Sequence, residues 1–374
     1  MCIFGMEEFC EKFAFDRVTG FLHPVSTDVH GIDGALKSFH DFTIGNLDRI
    51  HLIKVTNSII EEYKTHDDSL LFVLLTFAVH LYIRGSFECT ESLDVIPSPI
   101  SGTLISLGKE LGLQPIASYA TTTQFNIMPY SASTPDDDIQ IIASATGMID
   151  EIWFYKCAVF IERLAPEFIS KVLNAYACIE LNRVYDAVVH VNELVNIINL
   201  FIPKLKRIRE QCNPDVFYNQ IRKYLQGWSN DRTLPNGVDY EGFGRLMLPG
   251  ATAGQSPLIQ LVDIVLGVQH KSPIGQRMFN SVPGIDRAVL EHFKSIDSLR
   301  MRIILTQSPE LVKIFNDGLL KGMFEFRTEH LNIVSQYILR PTHGKECVGT
   351  GGSDPVQMLL EYRNETRLAK INLA

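Results

Sequence analysis

The chain has 374 residues, 46% hydrophobic and 21% charged, enough to bury a sizeable core in one large domain or two. A net charge of −9, with no basic stretch interleaved with aromatics, argues against a phosphate-backbone partner and sets nucleic acid aside. The seven cysteines (Cys2, Cys10, Cys89, Cys157, Cys178, Cys212, Cys347) are scattered, odd in number and form no CxxC pair, which fits reduced thiols in a cytoplasmic protein and not a disulfide framework or zinc site.

The first dozen residues turn acidic without a basic region leading into an apolar one, so no signal peptide is expected. From there apolar residues recur at helical spacing and strand-like alternation is scarce, which predicts an all-α fold. Helices are predicted over 36–66 and 69–84. The second holds the most apolar run, 69–83, which is shorter than a membrane span and carries Thr76 and His80, so it reads as a buried helix and no membrane partner is expected. Prolines at 97 and 99 break the chain before a short helix near 101–111. The turn-rich stretch 126–139, with two prolines and three consecutive aspartates, marks the expected boundary between a smaller N-terminal helical domain (1–138) and a larger C-terminal one (139–374).

Beyond it, helices are predicted over 139–162, 165–180, 182–210, 213–228, 256–269, 284–294, 297–303, 308–338 and 355–369. The last start is well marked: Asp354 suits the cap, Pro355 the first helical position, and Gln357 a reach back to the cap amide.

Four features can carry chemistry. His330 shares a helical face with Met323, Phe326, Val334 and Tyr337. There it is either an iron ligand shielded by an apolar wall or a core histidine bonded to a carbonyl, and spacing alone favours the latter. No CxxCH exists, so any haem would be held without thioether links. Arg222 lies on the aromatic side of its helix with Tyr218 and Leu225, near Phe217, as a clamp on a substrate carboxylate or as half of a structural ion pair. The segment 249–257 (PGATAGQSP) lacks the ending of a phosphate loop. Its small residues suit close approach to a flat ligand or a plain helix connection. The segment 348–355 (VGTGGSDP) reads from composition as a flexible linker, with a lid over substrate as the alternative. Zinc-protease, serine-hydrolase and dinucleotide motifs are absent in the right context.

Taken in order, FAFDRVTGFLHP, LGLQPIASYA, VFYNQIRKYLQGW, YEGF, GATAGQS, RTEHLNIVSQYIL and GTGGSD resemble the indoleamine 2,3-dioxygenase family, most densely after residue 210. The resemblance implies haem b, molecular oxygen as co-substrate, an indole substrate and an electron donor that keeps the iron ferrous. It implies that tryptophan is opened to N-formylkynurenine with no protein base. By position it makes His330 the proximal iron ligand, Asp263 an acid of the proximal side and Arg327 an arginine at a haem propionate. Phe217 would pack on the indole, Arg222 bind the carboxylate, and Thr252, Ala253 and Gly254 form the small loop at the haem edge. Tyr119, Phe154 and Tyr155 would line the pocket over the iron, and Thr350 would supply the lid hydroxyl near the substrate ammonium. Two positions depart from the family. Ala158 stands where a serine is common, and Tyr155 where a second phenylalanine is. Alanine excludes a side-chain base at 158 and leaves room for a different indole. Two other outcomes remain open: a relative that transforms a modified tryptophan differently, and a non-catalytic haem or interaction protein.

Overall fold

The computed structural model describes residues 5–25, 32–64, 67–342 and 348–372; Cys2 and Cys347 lie outside them. Helices make up 64% of it and dominate its regular structure, as the periodicity predicts. The exception is a small sheet, Val95–Ile96 parallel to Val238–Tyr240, which pairs antiparallel with Gly244–Leu246. Strands of two and three residues are too short to show alternation.

The apolar run forms the helix Asp68–Arg84, in which every side chain from Leu70 to Leu81 is buried. Asp67 caps it, accepting from the Ser69 and Leu70 amides at 2.9 and 3.1 Å. The helix expected over 36–66 is two, Ile32–Thr43 and Arg49–Tyr63. Gly45 turns between them at φ +83°, and Asp48 caps the second through the His51 amide at 2.8 Å. Residues 139–148 are not helical; the helix is Ile149–Glu162. The buried Glu151 draws the preceding segment back onto its first turn, accepting from the Ala145 and Thr146 amides at 3.0 and 2.7 Å and from the Thr146 hydroxyl at 2.5 Å.

The stretch 182–210 is helical as Val184–Asn199, Phe201–Lys206 and Ile208–Gln211. Among the described residues Val184–Gln211 is the one helical run long and apolar enough to cross a membrane by length and composition. Ala187, Val191, Leu194 and Ile198 on one face of it are nevertheless buried in the protein core. A helix at Pro273–Phe279, capped by Ser272, was not foreseen. The run 308–338 is helical from Pro309 to Leu339, with π-turns at Phe315–Leu320 and Ser335–Leu339. The last helix, Pro355–Leu368, starts as expected, with Asp354 accepting from the Val356 and Gln357 amides at 2.9 and 3.0 Å. The Gln357 side chain turns forward instead, donating to Glu361 at 2.9 Å.

Two large apolar clusters make the core. One surrounds Asp68–Arg84 and takes in Trp153, Phe217 and Trp228; the other joins Phe9 and Phe21 to Val262, Phe293 and Phe326. Each draws on residues from both sides of position 138. Between them lies a cavity with Phe154, Phe217 and Tyr337 on one wall and Phe293 and Phe326 on another.

Candidate active site

The cavity has a volume of about 860 Å³. All of the residues singled out from the sequence line it: Tyr119, Phe154, Tyr155, Ala158, Phe217, Arg222, Thr252, Ala253, Gly254, Asp263, Arg327, His330 and Thr350. Together with Phe326, Ile333 and Val334 they give a large, mostly apolar enclosure with few polar groups, the usual form of a small-molecule site.

His330 projects from Lys321–Val334 and is half-buried, because the cavity opens on one side of its ring. Phe326 lies 6.3 Å away between ring centroids, and no described residue hydrogen-bonds the imidazole. Burial, helped by the charge of Arg327, pushes its pKa down to about 4, so at neutral pH the ring is uncharged and keeps a lone pair. Among the described residues no group of three or more His, Cys, Asp or Glu could hold a metal ion. What the wall offers is one neutral nitrogen donor in an apolar space wide enough for a macrocycle, and these residues fit a haem held by a single protein ligand.

Phe217 and Arg222 are five residues apart, which an ideal α-helix would place well round its circumference from one another. A π-turn at Phe217–Ile221, closed by the Arg222 amide on the Phe217 carbonyl, brings both to the cavity wall. Phe217 packs on Phe154 at 4.7 Å and on Tyr337 at 5.9 Å between centroids. The Arg222 guanidinium donates to the Val348 carbonyl and lies 5.6 Å over the Tyr218 ring. Tyr119 opens a second π-turn, Ala120–Gln124, and its amide is held by Gln255 Oε1 at 2.8 Å. Tyr155 is buried and donates its hydroxyl to Glu151 at 2.6 Å. Burial and the Glu151 charge raise its phenol well above the ordinary range.

Thr252 caps the short turn Ala253–Gln255, and Gln255 returns the bond to the Thr252 amide at 3.3 Å. Gly250 packs backbone to backbone on the end of the helix Arg222–Leu225 and the residues after it: a Cβ there would sit 2.2 Å from the Leu225 carbonyl. The 249–257 loop is therefore more than a connection. The GTGG segment likewise is docked and not the flexible linker its composition suggests. The Thr350 carbonyl accepts from the Gly227 and Gly250 amides, each at 3.1 Å, and the Thr350 hydroxyl donates to Ala251 at 2.6 Å. Asn230 adds a bond to the Gly352 carbonyl at 2.6 Å.

Arg327 meets a carboxylate of the protein's own. Its Nη2 lies 2.6 and 2.5 Å from the two oxygens of Asp263, and its Nη1 reaches Thr366 and the Tyr362 carbonyl. Asp263 also binds His270 at 2.9 Å; that ring is stacked on Tyr362 and bonded to Glu365 at 2.7 Å. Burial alone would raise Asp263, but the Arg327 charge and the His270 bond hold it below its ordinary value. His270 was not singled out, since only the fold brings its two carboxylates to it.

Glu162 was also missed. It is fully buried, and its carboxyl accepts from the Tyr119 hydroxyl at 3.0 Å and from the Ser256 hydroxyl. Burial outweighs those bonds and pushes its pKa up to about 7. The signal was present: it stands four and eight residues after Ala158 and Phe154, on one helix face.

The structure is thus a helical protein with one neutral imidazole facing a large, mostly apolar cavity. The family model described as indoleamine 2,3-dioxygenase matches residues 58–369, and the chain belongs to that family. It is similar to an indoleamine 2,3-dioxygenase of Aspergillus nanangensis, 28% identical with 79% of each chain covered. Indoleamine 2,3-dioxygenase 1 of Mus musculus is 27% identical, with 78% of this chain and 77% of the relative covered. A 6-hydroxytryptophan 2,3-dioxygenase of Fusarium equiseti is 25% identical over 79% of each. The family is one of haem-dependent dioxygenases acting on indoles, and this chain's all-helical fold is consistent with it.

Proposed function

We propose that this protein is a haem-dependent dioxygenase that inserts O2 across the indole 2,3 bond of L-tryptophan or a related indoleamine, giving N-formylkynurenine. The observation that carries this reading is a single cavity lined by the neutral His330 imidazole, the Phe154–Phe217 pair at 4.7 Å and the Arg222 guanidinium. Haem b, held by His330, supplies the redox chemistry with molecular oxygen as co-substrate. The protein supplies orientation and a dry site. Phe217, with Phe154 and Tyr119, holds the indole as a flat apolar slab. Arg222 takes the substrate carboxylate in a charge-assisted pair and exchanges its bond to the Val348 carbonyl for it. Thr350, whose hydroxyl proton is committed to Ala251, keeps oxygen lone pairs to accept from the ammonium. The loop Thr252–Gly254 lets the backbone approach the edge of the macrocycle, and Asp263 with Arg327 stiffens the helix of His330 from the proximal side. Ala158 brings no side-chain base to the distal wall. Orientation of the reacting carbon carries much of the rate.

We propose further that it works in the cytoplasm with an electron donor and without nucleic-acid or membrane partners, on the strength of its scattered cysteines and acidic charge. A ring-hydroxylated tryptophan is a second substrate, favoured by the name of the Fusarium relative and by the Thr122 and Thr123 hydroxyls in the cavity wall. Incubating the reduced, haem-loaded protein with tryptophan and oxygen should give a product heavier by two oxygen atoms, both from O2. No oxygenated product from tryptophan or its hydroxylated forms would overturn the reading.

A further inference from the structure

Glu162 has no role in the chemistry above. Its Oε1 takes both hydroxyl bonds, from Tyr119 at 3.0 Å and from Ser256, while Oε2 has no hydrogen-bond partner among the described residues. Tyr119 and Ser256 line the cavity; Glu162 stands behind them, wholly buried. A carboxyl with a vacant oxygen, separated from a reaction cavity by one layer of hydroxyls, is arranged to trade a proton with whatever occupies that cavity.

We propose that Glu162 holds an exchangeable proton and passes it to and from the cavity through the hydroxyl of Ser256, with Tyr119 holding the carboxyl in place. In the ionised state both hydroxyls donate to Oε1, as seen here. In the acid state the carboxyl donates to Ser256 Oγ, which frees the serine proton to point into the cavity. If that proton goes to an oxygen newly added to the indole while the carboxyl proton moves onto Oγ, the result is a carboxylate, an intact serine and one proton gained by the acceptor. The reverse step restores the acid, and no electrons are exchanged.

The surroundings allow both states. Besides the two hydroxyls, the Leu258 amide favours the carboxylate, while Asp286 of the helix Gly284–Ser295 opposes a second charge. Asp286 is itself bound by His23 at 3.0 and 3.1 Å and by Gln124 at 2.6 Å. The balance leaves the carboxyl at about 7, populated in both forms at neutral pH.

For turnover the proposal rests on the reading of the cavity as an indole-oxygenating site, and the test separates the two. Infrared difference spectra of the haem-loaded protein between about pH 5 and about pH 9 should show a buried protonated carboxyl band that fades near neutrality. Glu162→Gln should lack the band, keep its haem, lower kcat by about tenfold or more and leave KM within about threefold. It should also remove the near-neutral limb of the kcat–pH profile. Glu162→Asp should restore part of that limb. Ser256→Ala should keep the band and lose the rate, a readout that stands even where Glu162→Gln fails to fold. Absence of the band in the unaltered protein, or an unchanged profile in Glu162→Gln, overturns the proposal. A titrating band in a protein that oxygenates no indole would instead overturn the functional reading and leave the proton-holding site standing.

Discussion

Arg327 and Asp263 form a buried two-point ion pair, 2.6 and 2.5 Å between Nη2 and the carboxylate oxygens, one helical turn from His330. Because the pair is shielded from water, losing Arg327 leaves the buried Asp263 carboxylate with His270 as its one remaining described partner. Arg327→Ala should destabilise the fold by about 3–5 kcal/mol, read as a lower denaturant midpoint.

The same network sets a pH dependence. Burial would lower His270, but the bond and charge of Asp263, with Glu365, raise it above its ordinary 6.5. Its contribution is thus complete below 6.5 and is lost as pH rises through the raised folded value. Asp263 is depressed, so its contribution is present above 3.8 and is lost as pH falls through the lower folded value. In His270→Gln the alkaline decline in stability should flatten, and urea midpoints measured across pH would show it. An undiminished decline would assign it to His23, also raised by Asp286 against its own burial.

His330 separates structural from ligand roles cleanly. Since no described residue hydrogen-bonds its ring, His330→Ala removes little packing and should change stability by about 1 kcal/mol or less. Haem affinity should fall by about tenfold or more, ~1.4 kcal/mol, measured as haem bound per chain. Full haem content with an unaltered histidine-type spectrum would exclude His330 as the ligand.

For Arg222→Ala, kcat/KM with tryptophan should fall by about 2–5 kcal/mol, with haem retained. Tryptamine, which lacks the carboxylate, is the control, and it should lose far less. Equal losses would mean that Arg222 acts by seating Val348 and the ribbon beyond it.

What could be read from the sequence followed from local pattern. The buried run at Leu70–Leu81 and the Asp354 cap are properties of contiguous residues, and both stand. The π-turns were invisible, because they depart from the period that reveals a helix. They nonetheless decide that Phe217 and Arg222 share a wall. The break at Gly45 was lost inside an otherwise periodic stretch. Glycine-rich composition misled at 348–352, since the same lack of side chains that frees a chain in solution also lets it pack against Gly227 and Gly250. Polar groups that act through distant partners, Glu162 with Ser256 and His270 with Glu365, need the fold to bring them together.

The docked ribbon can be tested at Gly352, which sits at φ +80° and whose added Cβ would lie 2.9 Å from the Ser229 Cβ and carbonyl. Gly352→Ala combines backbone strain with a clash, together about 1–3 kcal/mol. Held mainly by five hydrogen bonds, the ribbon should release before the core does. Faster proteolysis at 348–353 with an unchanged global midpoint, and a raised KM for substrate, are the expected results.

The distal wall gives the last test, at Tyr155 and Ala158. Tyr155 is the one ionisable side chain lining the cavity on the same helix as Ala158 apart from the thiol of Cys157, which burial pushes far above its ordinary range. The tyrosine is a poor base for two reasons: its hydroxyl is given to Glu151 at 2.6 Å, and burial raises its phenol well above 10.0. Removing that hydroxyl leaves Glu151 with the Ala145 and Thr146 bonds, at 3.0, 2.7 and 2.5 Å, so the carboxylate is not stranded. Tyr155→Phe should therefore cost about 1 kcal/mol in stability and keep the enzyme active. Ala158→Ser adds a hydroxyl to the wall and should change kcat by less than about tenfold, ~1.4 kcal/mol. The near-neutral limb of the pH profile, assigned to Glu162, should survive in both variants, since neither substitution touches the Ser256 contact. Steady-state rates across pH, at saturating tryptophan and oxygen, decide it. Abolished turnover in Tyr155→Phe, with haem retained and substrate still bound, would give the tyrosine an essential chemical role and move the proton chemistry from Glu162 to the middle of the same helix.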